Sequence, residues 1–266
     1  MLGKVMKYDS KRIGRVLIPV YLVTILMAGV NYVFQRLTGI NAIFGMMSAL
    51  VLLVFILLLI GVMIGTFVIS IKDFYTNLLK DEGYLTNTLP VSKETLVMSK
   101  ILVGLGYCIC STIVVFVAIS LGFFDANLFT IIIDGLTSGF IAKITGIPQP
   151  WDVVFIASMM LLSYLSQLLF VFFAISLGGR HHGNRIVYSF VYGIVLYSIQ
   201  QLISIIWLGM LAIINPNIMT NLATNGQVAS DLFGIVYGSS TILSLLIIVA
   251  YWFGTVWMLK HKLNLE

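Results

Sequence analysis

Uncharged apolar runs occupy residues 16–34, 43–71, 101–124, 153–177, 187–214 and 233–259, and none of them contains Asp, Glu, Lys or Arg. At about 1.5 Å per residue in a helix, each is long enough to cross ~30 Å of hydrocarbon. The runs are continuously apolar rather than alternating, which predicts helices and not a barrel, because a helix satisfies its own backbone hydrogen bonds in lipid. Several exceed the minimum length, so tilt or extension beyond the bilayer is expected. Between the third and fourth runs, Phe129, Ile132, Ile133, Leu136, Phe140 and Ile144 recur at steps of three and four, with Asp134 and Lys143 off that face. This spacing predicts an external interfacial amphipathic helix within 125–152. The expected fold class is therefore an all-α integral membrane protein, one transmembrane domain over 1–266, with six spanning helices.

Composition agrees. Of 266 residues, 60% are hydrophobic and 9% charged, against about 25% charged in soluble domains, which excludes an ordinary soluble protein. The net charge of +5 would elsewhere suggest nucleic acid, but here the basic residues flank the apolar runs. Lys4, Lys7, Lys11, Arg12 and Arg15 precede the first run; Lys72, Lys80, Lys93 and Lys100 follow the second. Arg180 and Arg185 lie between the fourth and fifth, Lys260 and Lys262 follow the sixth, and only Arg36 and Lys143 fall on the opposite side. The positive-inside rule then places both termini in the cytoplasm, and the membrane expected is the cytoplasmic (plasma) membrane. The run 16–34 is longer than a signal-peptide core and no A-x-A site follows it, so it is read as a retained first span.

Several chemistries lack their residues. Cys108 and Cys110 are two apart, which on a helix points them to different sides and argues against a disulfide or a metal pair. There is no G-x-x-x-x-G-K-[ST] phosphate loop. The cytoplasmic segments 1–15, 72–100, 178–186 and 260–266 are also too short to build an ATPase domain, which takes about 100–150 residues. No metal or other cofactor is expected on this chain. Proton coupling is disfavoured by the absence of ionisable residues in the six runs, while sodium can be held by carbonyls and hydroxyls at broken helices. The pair His181-His182 lies in a short basic turn and is read mainly as part of that turn. Gly61 and Gly65 form a G-x-x-x-G step that fits helix packing within the chain as well as dimerisation. Gln167, Gln200 and Gln201, with Tyr192 and Tyr197 nearby, are polar groups in apolar runs; they should bond between helices or face a wet cavity.

The most informative stretch is FYTNLLKDEGYLTNTLPVSKETLVMSK, residues 74–100. Gly83 can end a helix, Pro90 breaks the next segment, and Ser92 can cap a new helix with Glu94 in its first turn. Tyr84, Leu85 and Leu89 form an apolar set between those breakers that a partner protein could cover. Here D-E-G-Y-L-T-N-T-L-P-V-S, followed by Lys100, resembles the loop E-x-G-[TY]-L-x-x-x-L-P-[VL]-S of the ABC-2 type permeases, the membrane subunits of type V ABC exporters. The order of the acidic residues departs from that pattern.

The resemblance implies a permease subunit of an ATP-driven exporter of an amphipathic or hydrophobic compound (a peptide, antibiotic or lipid-like molecule). Two ATPase subunits, carrying ATP and Mg, would work with two permeases, the second being a copy or a paralogue. It implies that the loop is a coupling helix between spans two and three, with Glu82, Gly83, Tyr84, Leu85, Leu89, Pro90 and Lys93 at the ATPase contact. It further implies that residues 1–15 form a helix along the membrane surface, and that spans two and five line a path including Gln200, Gln201, Tyr192 and Tyr197. The alternatives are a non-transport membrane sensor or assembly subunit, or a sodium-coupled carrier.

Overall fold

The computed structural model describes residues 2–79, 91–123, 151–181, 184–214, 216 and 230–261. Among them are six helices long and apolar enough to cross a membrane, and no strand. In chain order these are α1 (Leu2–Leu37), α2 (Ala42–Leu79), α3 (Lys93–Gly122), α4 (Trp151–Gly178), α5 (Arg185–Ile214) and α6 (Ser230–His261). The chain is thus a multi-pass membrane protein. Its expected interfacial helix and the residues 82–90 of the expected coupling element lie outside the described residues, as do His182 and Gly183.

The contacts divide into two units, Met1–Ile132 and Ile133–Glu266. In the first, α1 packs on both α2 and α3. Four hydrogen bonds fix the register of α1 against α3: Ser99 and Lys100 reach Asp9, Ser111 meets Tyr21, and Asn31 reaches the Gly122 carbonyl, always 90 or 91 residues apart. The two helices therefore run in the same direction, and α2 returns between their ends, with Asp73 at the level of Asp9 and Phe55 packed with Ala28 and Ala118. Between these levels Ile13, Leu17, Tyr21, Val62 and Val103 make the apolar core. Gly14 and Gly122 allow the close approach. A Cβ at position 14 would lie 2.6 Å from the Tyr107 hydroxyl, and one at 122 would lie 2.9 Å from the Phe55 ring.

Helix α1 corrects one expectation. Residues 2–15 do not turn away as a separate surface helix but continue into the span as one helix of 36 residues, about 54 Å long. The reason is burial: Asp9, Ile13, Gly14 and Leu17 share the face that packs against α2 and α3, and Pro19 sits inside the helix without interrupting it. The helices thus extend past the apolar runs, α2 by running to Leu79 and α3 by starting at Lys93.

Midway along this bundle a chain of hydroxyls has a defined direction. Thr66 donates to the Val62 carbonyl at 2.7 Å, so its oxygen can only accept from Ser111, 2.5 Å away. Ser111 in turn accepts from Tyr21 at 2.6 Å, because each hydroxyl carries one proton. Tyr21→Phe removes only the first donor and should cost about 1 kcal/mol. Ser111→Ala strands the Tyr21 hydroxyl in a buried site and should cost about 1–3 kcal/mol. Unfolding midpoints of the two variants in detergent check this order.

In the second unit α4 packs on α5 and on α6. Leu168, Leu169 and Phe172 of α4 are fully buried, and the rings of Phe170 and Phe173 meet that of Tyr251 on α6 at 5.9 and 5.7 Å. Gly178 ends α4 against the backbone of Ser189, and Gly254 lets α6 close on the Phe173 ring.

Candidate functional site

At one end of the first unit the structure brings together four charged side chains from three helices. Asp9 lies on α1 beside Ile13, Asp73 on α2 beside Phe74, and Lys100 on α3 beside Leu96 and Val97, all of these apolar neighbours being buried. The side chains of Lys100, Asp73 and Asp9 are 4%, 5% and 7% exposed. Lys100 Nζ donates to Asp9 Oδ1 at 2.5 Å and to Asp73 Oδ2 at 2.6 Å. Arg12 Nε reaches Asp73 Oδ1 at 2.8 Å, and its Nη2 stands 3.7 Å from Asp9 Oδ1. Ser99 Oγ donates to Asp9 Oδ2 at 2.7 Å, and Asn77 Nδ2 approaches Asp73 Oδ1 at 3.4 Å.

Two carboxylates facing one ammonium and one guanidinium make a neutral cluster, so burial leaves no net charge in the low-dielectric interior. Every carboxylate oxygen also has a donor. Among the described residues no group of three or more His, Cys, Asp or Glu could hold a metal ion. The arrangement acts as a clamp. It fixes the last turns of α2 and the first turns of α3, the two stems that carry residues 80–92, against the start of α1.

The capping role expected of Ser92 is present: its Oγ accepts from the Thr95 backbone N–H at 3.3 Å, with Glu94 in the first turn of α3. Lys93, half-buried, begins that helix. Glu82, Gly83, Tyr84, Leu85, Leu89 and Pro90 lie outside the described residues.

The four side chains expected to line a path are not gathered into one site. Gln200 accepts from the Tyr251 hydroxyl on α6 at 3.0 Å, the interhelical bond that an amide in lipid seeks. Tyr192 meets His181 Nε2 at 3.0 Å, with the His181 ring stacked on Tyr188 at 4.2 Å. Gln201 and Tyr197 are exposed on α5. Cys108 is buried and Cys110 exposed, on different sides of α3 as their spacing predicts. Gly61 and Gly65 face open space, since an added Cβ on either would meet nothing within 4 Å.

The ionic clamp was not legible as a site. Asp9 and Asp73 sit among basic residues that report topology, and their partner stands 91 and 27 residues away. The available signal was Asp9 itself, the one acidic residue in the basic stretch 1–15. Comparison of the chain with protein-family models, curated proteins and solved structures gives no match.

Proposed function

We propose that this chain is the membrane subunit of an ATP-driven exporter of the ABC-2 type, moving an amphipathic or hydrophobic compound across the plasma membrane with separate ATPase subunits. The observation that carries the reading is the clamp of Asp9, Asp73, Lys100 and Arg12. It binds both stems of the 80–92 segment to α1, so a force applied to that segment by a docked ATPase moves three helices together. The D-E-G-Y-L…L-P-V-S pattern and the six candidate spans support the same reading. In this scheme Tyr84, Leu85 and Leu89 form the apolar centre of the ATPase contact, with Glu82 and Lys93 at its rim. Gly83 and Pro90 set its shape. Gln201 and Tyr197 are the remaining candidates for the path; Gln200 serves helix packing.

A buried aromatic anchor carries about 2 kcal/mol or more of an interface and rim charges carry less. The double variant Tyr84→Ala, Leu85→Ala is therefore expected to lose capture of the proposed ATPase subunit, or to uncouple hydrolysis from transport. Lys93→Ala should change only the salt sensitivity of capture. Normal capture and transport by the double variant would remove the loop from the coupling role. A second reading, a proton-coupled carrier, draws on the two carboxylates that share one buried ammonium. Transport driven by a pH gradient without ATP would favour it.

A further inference from the structure

A cleft of 460 Å³ opens between α1 and α3 and is lined by Gly3, Met6, Lys7, Leu102, Gly106 and Cys110, together with Ser10, Val103 and Tyr107. Its walls are apolar along the stripe Leu102, Gly106, Cys110, which lies within the uncharged run 101–124. Among its described lining residues the one cation is Lys7, which stands on the far side of Arg12 and Arg15, beyond the start of the run 16–34. The cleft therefore straddles the level at which the ionic clamp sits, with an apolar floor on one side of that level and an ammonium on the other.

Charge decides what such a cleft accepts. In the neighbouring clefts cations stand beside a carboxylate, Lys11, Arg12 and Arg15 beside Asp9 in one and Arg12 and Lys72 beside Asp73 in the other, with Arg12 already bound to Asp73, whereas the lining residues of the α1–α3 cleft hold a cation and no carboxylate. Its hydroxyls are already committed. Tyr107 donates to the Ser10 carbonyl at 2.7 Å, and Ser10 Oγ stands 3.2 Å from the Tyr107 oxygen. Lys7 is exposed and has no carboxylate partner among the described residues. Two glycines keep the cleft open, since a Cβ at Gly3 or Gly106 would meet nothing within 4 Å.

We propose that this cleft is a binding site for an anionic phospholipid, with one acyl chain along Leu102, Gly106 and Cys110 and the headgroup phosphate on the Lys7 ammonium. Bilayer lipid is the medium that surrounds an apolar cleft on a spanning bundle, and a cation beside that cleft with no carboxylate partner among the described residues selects the anionic species.

The test uses the full chain purified in detergent and titrated with phosphatidylglycerol or phosphatidylcholine. Bound lipid is counted by native mass spectrometry, and Cys110 serves as a reporter because it lines the cleft and is exposed while Cys108 is buried. Phosphatidylglycerol should bind roughly five-fold more tightly than phosphatidylcholine, the preference one basic residue near a membrane surface confers, and should slow alkylation of Cys110 by N-ethylmaleimide.

Lys7→Gln should abolish the preference, and Lys72→Gln, which removes the same charge from the α1–α2 cleft, should leave it intact. Gly106→Leu fills open space and favours helix, so it should fold and lose the bound lipid. Equal effects of Lys7→Gln and Lys72→Gln would show diffuse attraction to the basic end and overturn the site. So would unchanged alkylation of Cys110 at saturating phosphatidylglycerol, or full lipid retention by Gly106→Leu.

Discussion

Lys100→Met is expected to destabilise the chain by about 3–5 kcal/mol, among the largest effects any single substitution should have here. Lys100 is the common partner of Asp9 and Asp73, each within 2.6 Å. Removing it leaves two carboxylates in a buried site with only Arg12 between them, and breaking a buried pair from one side strands the other charge. Arg12 cannot take over, because its side chain is 40% exposed and approaches from the rim. The triple variant Asp9→Asn, Asp73→Asn, Lys100→Met should recover most of the loss, since replacing a whole buried ion cluster by neutral groups is often close to neutral. Unfolding midpoints in detergent read both variants. A single variant that melts with the native chain would show that the cluster is wet and contributes little. If the triple variant recovers stability but not the ATPase-driven transport proposed above, the clamp transmits force as well as holding the helices.

Gly178→Leu ranks second. A Cβ at this position would overlap Ser189 Oγ and would come within 2.6 Å of the Ser189 nitrogen and 2.8 Å of its Cα. The obstacle is backbone, so the ends of α4 and α5 must separate, and a cost of about 1–3 kcal/mol or more follows from overpacking. Ser189→Gly should not rescue it, because only the Oγ overlap is removed. Gly254→Ala makes the contrast. Its Cβ would meet the Phe173 ring at 2.6, 2.9 and 3.1 Å, a side chain that Phe173→Leu can shorten, so that pair should show strong compensation in a double-mutant cycle. Equal rescue at both glycines would mean that the α4–α5 turn adjusts as readily as a ring.

The six helices were legible because hydrocarbon leaves few choices: an uncharged run long enough to cross it must close its own hydrogen bonds. The start of α1 was not legible for the same reason. Lys4 to Arg15 look like a flank when only apolar residues are taken as span, yet a helix continues wherever one face finds a partner, as Asp9, Ile13 and Leu17 do. Register was hidden too. That Asp9 falls opposite Lys100 follows from an offset of 90 or 91 residues held by Tyr21–Ser111 and Asn31–Gly122, and no local pattern carries it. Conversely, the separation of Cys108 from Cys110 and the Ser92 cap were readable because both depend on only a few neighbouring residues. Gln200 illustrates the limit between them: its need for a partner was evident, but that the partner is Tyr251 requires knowing which face of α6 meets it.

The parallel pairing of α1 with α3 has a temporal consequence. A ribosome adding about 5–20 residues per second finishes Lys100 roughly 5–18 s after Asp9, the 91 residues between them being made in that interval. During that time α1 and α2 carry two carboxylates, Asp9 and Asp73, against the single guanidinium of Arg12, and an excess buried charge is unfavourable in hydrocarbon. The first two helices must therefore keep their charged turns in water and dock fully only after the third has been threaded. This makes the nascent chain most vulnerable to proteases and misinsertion while α2 is complete and α3 is still inside the ribosome.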